Sequence, residues 1–417
     1  MATDPHDTAE IAVIGAGVIG LTIALRLAAE GREVLVIDPA EPGSGASYGN
    51  AGTIADYAVQ PVGTPAILRA LPSLLFDRNS PFAIRSAAIP ALAPWLLRFL
   101  RQSLPGPARR NATALAHLLA DAGPRWEDLA SGIGGAQLLQ DRGCLYLYEA
   151  DSQRRAAEAD LAFRRSLGVT VEMLSPEALS ELEPGLPPMQ GGAALFPGAR
   201  FLTDPGRAAA LIALAARRAG VRFLRDAAIG LSRGAGRVSI ITKSGNSSSA
   251  KTVIVAAGAH SRALALMAGD RIPLDTERGY HLEWDNQQTR LTRPACLTSR
   301  GFYLCPMTNR LRVAGTVELG GLTAPPSQHR LDVLLKGARA VFPDLPEPTR
   351  TWMGFRPSIP DSLPVIGPSF AGPDIIHAFG HGHIGLTLAP VTAEIVSDLV
   401  MGRTPGGDIA AFAPGRF

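Results

Sequence analysis

The sequence predicts an α/β protein of two domains, and three patterns along its 417 residues support this prediction. Residues 11–38 read as a strand (IAVIG), a helix (VIGLTIALRLAAEG) and a second strand (EVLVID), an order that requires a parallel, right-handed crossover. Residues 271–349 contain strands of alternating polarity, including GYHLEW, FYLCPM and LRVAGTVEL, which favour a largely antiparallel sheet. The α/β pattern returns from residue 352 to a helix at 388–402, so we expect one domain to be inserted into the other.

A further α/β stretch in the middle of the chain belongs to the first domain. Residues 203–220 (TDPGRAAALIALAARRAG) predict a helix with proline in its first turn and glycine at its end. The hairpin RVSIITKSGNSSSAKTVIVAAG follows it. We therefore predict a discontinuous first domain and an inserted second domain of helices and mostly antiparallel strands. Their boundaries are 8–65, 190–268 and 350–410 for the first domain, and 66–189 and 269–349 for the second.

The composition argues against several classes of protein. The 40 basic and 37 acidic residues are interspersed and give a net charge of +3, so no nucleic-acid partner is predicted. Cys144, Cys296 and Cys305 are too few and too scattered for a disulfide framework or a metal site, which favours a reducing compartment. The start, MATDPHDTAE, has no apolar signal-peptide core, and the chain has no run of about 20 apolar residues. We predict a cytoplasmic protein.

Residues 89–104 (IPALAPWLLRFLRQSL) combine aromatic residues and leucines with Arg98 and Arg101. Such a segment is typical of a helix that lies on a membrane surface. A helix whose apolar face packs on the protein core is the more ordinary interpretation of this segment, and the sequence leaves both interpretations open. The membrane interpretation predicts a cytoplasmic protein that also binds peripherally to the inner face of the membrane.

The strand, helix and strand at 11–38 carry a dinucleotide-binding pattern. Gly15 permits a tight turn after the first strand, Gly17 lets the backbone approach a pyrophosphate, and Gly20 allows close packing of the helix. Asp38 ends the second strand, where an acidic side chain accepts hydrogen bonds from a ribose hydroxyl. No arginine follows Asp38 to bind a 2′-phosphate, so NADP is disfavoured. At this point a structural glycine turn, NAD and FAD all remain open.

Two later glycine turns favour FAD. The strand VIVAAGAHS (253–261) carries Ala257 and Gly258 at its end, and the strand IIHAFG leads into the turn GHGHIG at the start of a long helix. An extended FAD has to be held at its adenine end and at its flavin end, and these turns supply the additional contacts. An NAD dehydrogenase has no obvious use for them.

Together these segments resemble the D-amino-acid oxidase superfamily of FAD-dependent oxidoreductases, and most closely its bacterial D-amino-acid dehydrogenase branch. The resemblance covers nearly the whole chain, including SGASYGNAGTI, FLTDPGRAAALIALAARRAGVRF and MGFRPSIPDSLPVIGPS with FGHGHIGLTLAP. It implies a Rossmann-like FAD-binding domain of the glutathione-reductase type with an inserted substrate domain.

The resemblance also implies roles for individual residues. One group matches the loop that lies against the flavin ring: Ser47, Asn50, Ala51 and Gly52. A second group matches the turn around the pyrimidine end of the flavin: Gly382, His383, Ile384, Gly385, Leu386 and Thr387. Arg356 matches an arginine that binds the substrate carboxylate, and Tyr303 a tyrosine that assists it. Some relatives attach flavin to a cysteine near the position of Gly354, so we expect the FAD of this chain to be non-covalent.

Physical chemistry supports the role of Arg356, because a planar guanidinium forms two parallel, charge-assisted bonds to a carboxylate. An arginine before a proline is also often structural. Tyr303 lies in an alternating strand and is equally compatible with a core position. His381 and His383 are expected to contact the cofactor through their backbone, and Cys305 is interpreted as a packing residue.

The expected reaction is hydride transfer from Cα of a D-amino acid to flavin N5. The imino acid formed is then hydrolysed to a 2-oxo acid and ammonia. No protein base is required, because the lone pair of the neutral amine drives the hydride out, and catalysis rests on orientation and desolvation. The electron acceptor, a quinone, another carrier or O2, is left open by the sequence.

Other functions also fit the motifs. D-Proline, hydroxy-D-proline, sarcosine and opines present the same carboxylate, C–H and nitrogen as a primary D-amino acid. The chain also fits one subunit of a larger oxidase, or a flavoprotein whose FAD has a structural or electron-relay role. An NAD-linked dehydrogenase is the remaining alternative.

Overall fold

The computed structural model describes residues 8–76 and 80–417, with the backbone alone for 71–76. The predicted absence of a signal peptide concerns the start of the chain, of which residues 1–7 lie outside the described part. The strands are β1 (Thr8–Ile14), β2 (Val34–Ile37), β3 (Thr53–Ile54), β4 (Phe82–Ile84), β5 (Leu139–Gln140), β6 (Cys144–Leu147), β7 (Glu172–Leu174), β8 (Ala193–Phe196), β9 (Arg200–Leu202), β10 (Arg222–Leu224), β11 (Ala228–Gly234), β12 (Arg237–Thr242), β13 (Ser247–Val255), β14 (Asp275–Asp285), β15 (Ala295–Leu297), β16 (Phe302–Met307), β17 (Arg310–Leu319), β18 (Arg350–Ser358), β19 (Val365–Ser369) and β20 (Gly372–Phe379). The helices are α1 (Val18–Ala29), α2 (Pro65–Phe76), α3 (Ile89–Gln102), α4 (Pro105–Leu119), α5 (Ala122–Gly132), α6 (Asp151–Ser166), α7 (Pro176–Leu182), α8 (Pro205–Arg218), α9 (Ser261–Met267), α10 (Gln328–Val341) and α11 (Gly385–Val400).

An eight-stranded sheet contains five parallel strands, in the order β10, β2, β1, β13 and β20, with β10 at one edge. The antiparallel strand β19 pairs with β20, and the hairpin of β11 and β12 pairs with the first half of β13. All four residues of β2 are buried, as expected for a parallel strand covered on both faces. Helices α1, α8 and α11 pack on one face, and α9 packs on the other.

A nine-stranded, mostly antiparallel sheet forms the second layer. Its strand order is β18, β14, β17, β16, β15, β6, β8 and β7, and β4 pairs with β17. Helix α10 covers one face through Leu334 and Ala338, which pack with Phe302 and Val313. The opposite face meets the loop after β2 and carries the polar side chains of the candidate site. The predicted α/β fold class is confirmed.

Two strands from ranges predicted for the first domain pair within the nine-stranded sheet. β18 pairs along its whole length with β14, from Ser358 opposite Asp275 to Arg350 opposite Glu283, and so belongs to the nine-stranded sheet. β8 pairs with β6 and β7 in the same sheet. Both strands lie in ranges predicted for the first domain. Their pairing was not foreseen, because a sequence pattern identifies a strand without identifying its partner. The division into two domains remains a proposal.

Helix α3 contains the amphipathic segment identified in the sequence. Leu92 and Trp95 are buried, whereas Leu97 is 68% exposed. The Trp95 indole donates a hydrogen bond to the carbonyl of Ser358 at 3.3 Å, which ties the helix to β18. One face of α3 therefore packs on the protein, and leucines remain on the other. Within the described residues, no helix has the length and apolarity needed to cross a membrane.

Candidate active site

The predicted glycine turns meet where the central parallel strands end. β1 ends at Ile14, before Gly15, and the Ile14 carbonyl accepts a hydrogen bond from Ala256 at the end of β13. Gly15 has φ +112°, and a Cβ there would lie 2.4 Å from the carbonyl oxygen of Ala256. Ligands in open α/β sheets bind at this carboxyl edge. The structure brings Gly15 next to Ala257 and Gly258, as a site built from both turns requires.

The first turn of α1 has the close packing that its glycines predict. A Cβ on Gly20 would lie 1.9 Å from the carbonyl oxygen of Gly15, so a side chain does not fit there. A Cβ on Gly17 would meet only Ser47 Oγ, at 3.5 Å. Ser47 Oγ accepts a hydrogen bond from the Val18 amide at 2.8 Å, which fixes the following loop at the helix N-terminus. This end of the helix is suited to bind phosphate.

Asp38 follows β2 at the same edge. Its Oδ2 accepts a hydrogen bond from the Ala16 amide at 2.7 Å, and its Oδ1 accepts one from Ala40 at 2.8 Å. The carboxylate therefore closes the glycine turn. Since a carboxylate has about four acceptor positions, Asp38 can also accept a bond from a ribose hydroxyl.

The loop after β2 lies against the N-terminus of α11. Asn50 Oδ1 accepts a hydrogen bond from the Gly52 amide at 2.8 Å, with Ala51 between them. Thr387 Oγ1 accepts one from the Ala55 amide at 3.0 Å. The buried Trp126 indole donates to the Leu386 carbonyl at 2.8 Å. These bonds bring the predicted flavin-loop residues and the predicted pyrimidine-end residues together.

These turns fit an extended dinucleotide. Gly258 and Gly382 have φ of +55° and +54°, and a Cβ on either would meet no atom within 4 Å. Both therefore leave open space beside the backbone, and Gly382 shares its turn with His383, Ile384 and Gly385. A cofactor can approach the backbone closely at such positions. The glycine-bounded edge that runs from α1 to α11 is the arrangement expected of a flavin-dependent α/β protein.

Arg356 lies on β18, beside this edge. Its guanidinium crosses Gly279 of β14, where a Cβ would lie 2.5 Å from Arg356 Cζ, and its Nη1 donates to the Thr316 carbonyl at 3.2 Å. In the described part of the chain, Arg356 forms no ion pair with a carboxylate. Burial lowers the pKa of Arg356, and the negative charge of Glu277 raises it. The Gly382 amide donates to the Pro357 carbonyl at 2.8 Å, so Arg356 lies next to the turn before α11.

The carbonyl that holds Arg356 belongs to a distorted part of β17. Opposite Arg278 and Tyr280 the register of β17 shifts, and Thr316 within this bulge has φ +55°. A positive φ is unfavourable for a β-branched residue, and bulges commonly redirect groups next to functional sites. Here the bulge presents the Thr316 carbonyl to Arg356.

Tyr303 lies on β16, in a row across the sheet with Ala314, His281 and Trp352. Its hydroxyl is 3.4 Å from the hydroxyls of Tyr57 and Tyr146. Burial raises the pKa of Tyr303 well above its usual value, so the phenol is protonated at neutral pH. Its described hydrogen bonds join it to these phenols and not to Arg356.

The two histidines before α11 are neutral at pH 7. Burial lowers the pKa of His381 to about 3, and its Nε2 is 3.0 Å from Thr392 Oγ1. His383 keeps contact with solvent, but desolvation by the surrounding protein, together with the charges of Arg356 and Arg164, lowers its pKa to about 4. Neither histidine therefore supplies a positive charge near neutral pH.

Sequence reasoning did not identify a set of buried polar residues that holds the loop after β2. We call His281, Glu283 and Arg312 the loop clamp. Arg312 Nη1 donates to the carbonyl of Tyr48 at 3.0 Å and to that of Asn50, and His281 Nδ1 lies 3.2 Å from the Gly49 carbonyl. The loop clamp could have been found in the sequence from the polar residues that alternate with apolar ones in the strands GYHLEW and LRVAG.

Glu283 supplies the negative charge of the loop clamp. Its Oε1 accepts hydrogen bonds from Arg312 Nε and Arg310 Nε, both at 2.8 Å, and its Oε2 accepts from Arg350 at 2.9 Å. Burial alone would raise the pKa of Glu283, but these arginines lower it to about 2. The arginine that holds the loop is therefore neutralised from within the sheet.

The three cysteines lie in the nine-stranded sheet and are buried and free. Burial raises the pKa of Cys144 to about 12, and those of Cys296 and Cys305 are also raised. Their thiols are therefore poor nucleophiles at neutral pH.

Comparisons with known proteins identify the family that this architecture indicated. The family described as FAD dependent oxidoreductase matches residues 10–399, so the chain belongs to this family. FAD is its cofactor, and the predicted resemblance to the D-amino-acid oxidase superfamily is confirmed.

Two curated relatives and two solved structures illustrate the similarity. The chain is 36% identical to the D-amino-acid oxidase of Bradyrhizobium diazoefficiens over 98% of both proteins. It is 29% identical to a D-amino acid dehydrogenase of Cereibacter sphaeroides, over 97% of this chain and 96% of that protein. Glycine oxidase from Geobacillus kaustophilus matches the fold with a TM-score of 0.77 and 25% identity, covering 99% of both chains. L-proline dehydrogenase from P. horikoshii matches the fold with a TM-score of 0.76 and 21% identity, covering 99% of this chain and 98% of that chain.

Proposed function

We propose that this protein oxidises a D-amino acid to an imino acid, which water hydrolyses to a 2-oxo acid and ammonia. The proposal rests on the surroundings of Arg356, whose guanidinium lies beside the turn before α11. Its described hydrogen-bond partner is a backbone carbonyl and not a carboxylate. Arg356 is half-buried, and a partly desolvated charge without a counter-ion is costly, so a ligand carboxylate suits it as a partner. The names of the two curated relatives support the same class of substrate.

Arg356 has two tasks in this reaction. Its planar guanidinium binds the substrate carboxylate by two parallel bonds, each of which contributes about 1.5–3 kcal/mol. The Thr316 carbonyl fixes the rotation of the guanidinium and so sets the direction from which the carboxylate approaches. Orientation of Cα by this pair replaces a protein base, because the neutral amine needs none.

FAD supplies the hydride acceptor of this reaction. The chain would hold it through the glycine turns at Gly15, Gly17 and Gly20, the Asp38 carboxylate, the loop from Ser47 to Gly52, Ala257, Gly258 and the segment from Gly382 to Thr387. The neutral phenol of Tyr303 would offer a hydroxyl near the carboxylate. The raised cysteine pKa values support a non-covalent cofactor. Release of all flavin into the supernatant on acid precipitation would agree with this, and flavin retained on the precipitate would contradict it.

Anaerobic flavin bleaching tests the proposed function. Purified holoenzyme is mixed with D- and L-amino acids, glycine, sarcosine, D-proline and hydroxy-D-proline, and the loss of absorbance near 450 nm is followed. We expect at least one D-amino acid to bleach the flavin and its L-enantiomer not to. A yellow protein that no amino acid reduces would contradict the proposal and favour a subunit or electron-relay role. Bleaching by sarcosine or the two proline derivatives alone would move the substrate class to N-substituted amino acids.

The electron acceptor forms a separate part of the proposal. The curated relatives carry both names, oxidase and dehydrogenase. We favour a quinone or another carrier over O2, with the enzyme in the cytoplasm and in contact with the inner face of the membrane. Exposed leucines on and after α3, with Arg98 and Arg101 beside them, support this contact: Leu97, Leu100 and Leu104 are 68%, 36% and 48% exposed. Dye reduction much faster than hydrogen peroxide formation would agree with a dehydrogenase.

Vesicle flotation tests the membrane contact. Leu97→Glu is compared with Leu214→Glu, which changes a leucine on α8 that is 41% exposed. We expect only the α3 variant to lose binding to vesicles that contain anionic lipid. Wild-type protein that stays unbound would contradict the contact without affecting the proposed reaction.

A further inference from the structure

A second unpaired charge lies beside Arg356. Glu277 on β14 is directly opposite Arg356 in the pairing of β14 with β18, and it is only 6% exposed. Its described hydrogen bond is accepted at Oε1 from Ser358 Oγ, at 2.7 Å. Over the described ranges, Glu277 forms no ion pair with Lys, Arg or His. Glu277 is therefore a buried carboxylate with one neutral partner.

Glu277 and Arg356 face the same side of the nine-stranded sheet but do not pair with each other. Successive residues of a strand alternate between faces, so Glu277 shares a face with Gly279, over which the Arg356 guanidinium lies. Arg356 points along this face to the Thr316 carbonyl, and Glu277 is held by Ser358. These neutral partners keep opposite charges apart on neighbouring strands, where a direct ion pair would be the usual arrangement.

Glu277 lines a small cavity between β18 and the turn before α11. The cavity has a volume of about 10 Å³ and is bounded by Glu277, Ser358 and residues 380–384, among others. That volume admits about one water-sized polar group, which is also the size of an ammonium. The histidines of this wall do not provide the missing cation, because the pKa values of His381 and His383 are lowered to about 3 and about 4.

We propose that Glu277 binds the α-ammonium of the substrate while Arg356 binds its carboxylate, so that the two residues together recognise an amino-acid zwitterion. The bound ammonium then loses one proton to solvent, which gives the neutral amine that hydride transfer requires. The inference rests on the proposed function and deepens it. A carboxylate accepts hydrogen bonds from both an ammonium and a hydroxyl, but only the ammonium adds the attraction of a full positive charge to the carboxylate. Glu277 is thus a specificity residue that selects amino acids over 2-hydroxy acids of the same shape.

Ligands that cannot be oxidised separate binding from turnover. 2-Aminoisobutyrate is a zwitterion without a Cα hydrogen, and 2-hydroxyisobutyrate replaces its ammonium by a hydroxyl. Their dissociation constants are measured on the holoenzyme from the perturbation of the flavin spectrum, and again from the thermal shift of the protein. In the wild-type enzyme we expect the amino compound to bind at least about tenfold more tightly, the ratio expected from one charge-assisted bond.

The variant Glu277→Gln keeps the shape of the side chain and removes its charge. We expect this variant to bind 2-aminoisobutyrate about tenfold or more weakly, and its affinity for 2-hydroxyisobutyrate to change by less than about threefold. The preference for the amino compound would then be lost. Glu277→Asp should retain a preference for the amino compound. Ser358→Ala, which removes the hydrogen bond and keeps the charge, should also retain it.

Several outcomes would overturn the inference. One is an equal loss of affinity for both ligands in Glu277→Gln, which would indicate a structural role for Glu277. Another is a wild-type enzyme that binds 2-hydroxyisobutyrate as tightly as 2-aminoisobutyrate, a result that needs no variant to fold. Failure of the proposed function looks different, because the flavin would then be reduced by no amino acid at all. Oxidation of amino acids with an unchanged ligand ratio in Glu277→Gln would overturn the role of Glu277 alone.

Discussion

The turn after β1 and the sheet face opposite it form the candidate site by different means. The turn is made of backbone from one short segment, and its shape depends on where a Cβ does not fit, as at Gly15 and Gly20. The sheet face is made of side chains from β14, β17 and β18, and its properties depend on the balance of buried charges. A cofactor that is recognised by backbone shape can therefore be predicted from one continuous sequence motif. A substrate that is recognised by charge depends on residues far apart in the sequence.

Glycine substitutions give the largest expected effect and test the backbone half of this comparison. In Gly20→Ala the new Cβ would lie 1.9 Å from the Gly15 carbonyl oxygen, so we expect misfolding or complete loss of flavin. In Gly17→Ala the new Cβ meets only Ser47 Oγ at 3.5 Å, so we expect normal folding with flavin content reduced by more than about tenfold. Circular dichroism and the ratio of absorbance at 450 and 280 nm measure the two properties.

Gly132→Ala on α5 is the matched control, because a Cβ there meets no atom within 4 Å. It should leave both folding and flavin content unchanged. A Gly17→Ala protein with a full complement of flavin would show that the pyrophosphate does not approach this turn.

Substitution of Arg312 tests the charge balance of the sheet face. Arg312→Met removes the bonds to the Tyr48 and Asn50 carbonyls and leaves Glu283 with Arg310 and Arg350. Breaking a buried pair costs about 3–5 kcal/mol, so we expect a large fall in the free energy of unfolding and weaker flavin binding. Urea denaturation and flavin titration are the measurements.

Arg310→Met is the control for the loop clamp. Arg310 bonds to Glu283 but to none of the carbonyls of the loop after β2. We expect it to lower stability and leave flavin affinity nearly unchanged. Equal losses of flavin affinity in the two variants would contradict a positioning role for Arg312.

Acid should destabilise the protein through its buried histidines. The pKa values of His281 and His381 are lowered to about 3 from an ordinary value near 6.5, so the unfolded chain binds more protons between these limits. Stability is complete above about pH 6.5 and falls as the pH is lowered, by roughly 1.4 kcal/mol per pH unit for each histidine. Urea midpoints between pH 8 and pH 5 measure this, and His381→Asn should flatten the curve. A constant midpoint over this range would contradict the buried, neutral histidines.

Tyr303→Phe gives the smallest expected effect. If the hydroxyl assists Arg356 by one hydrogen bond, kcat/KM falls by about tenfold, or 1.4 kcal/mol, with unchanged flavin content. Tyr146→Phe removes the neighbouring hydroxyl, which bonds to Tyr303, and should change kcat/KM by less than about threefold. Steady-state kinetics with the preferred substrate distinguish these results. The same loss in both variants would indicate that the Tyr303 hydroxyl acts only through its hydrogen bonds to Tyr57 and Tyr146.

The sequence predicted the α/β fold, the glycine turns and Asp38, because each of these depends on local periodicity or on a backbone that only glycine allows. It did not identify the loop clamp or Glu277. The role of Glu283 depends on arginines from β17 and β18, and that of Glu277 on a neighbour 79 positions away that faces it only after β14 and β18 pair. The pairing of β18 with β14 was not predicted for the same reason, since a strand pattern does not identify the strand it pairs with.

The central claim is that the substrate is held through its carboxylate by Arg356. It is tested most directly by comparing the rates of anaerobic flavin reduction by the preferred D-amino acid and by its carboxamide. We predict that the wild-type enzyme prefers the acid by at least about 100-fold, as two charge-assisted bonds require. In Arg356→Ala, with its flavin content unchanged, this preference should fall to a few-fold. An Arg356→Ala enzyme that keeps the full preference for the acid would contradict the account.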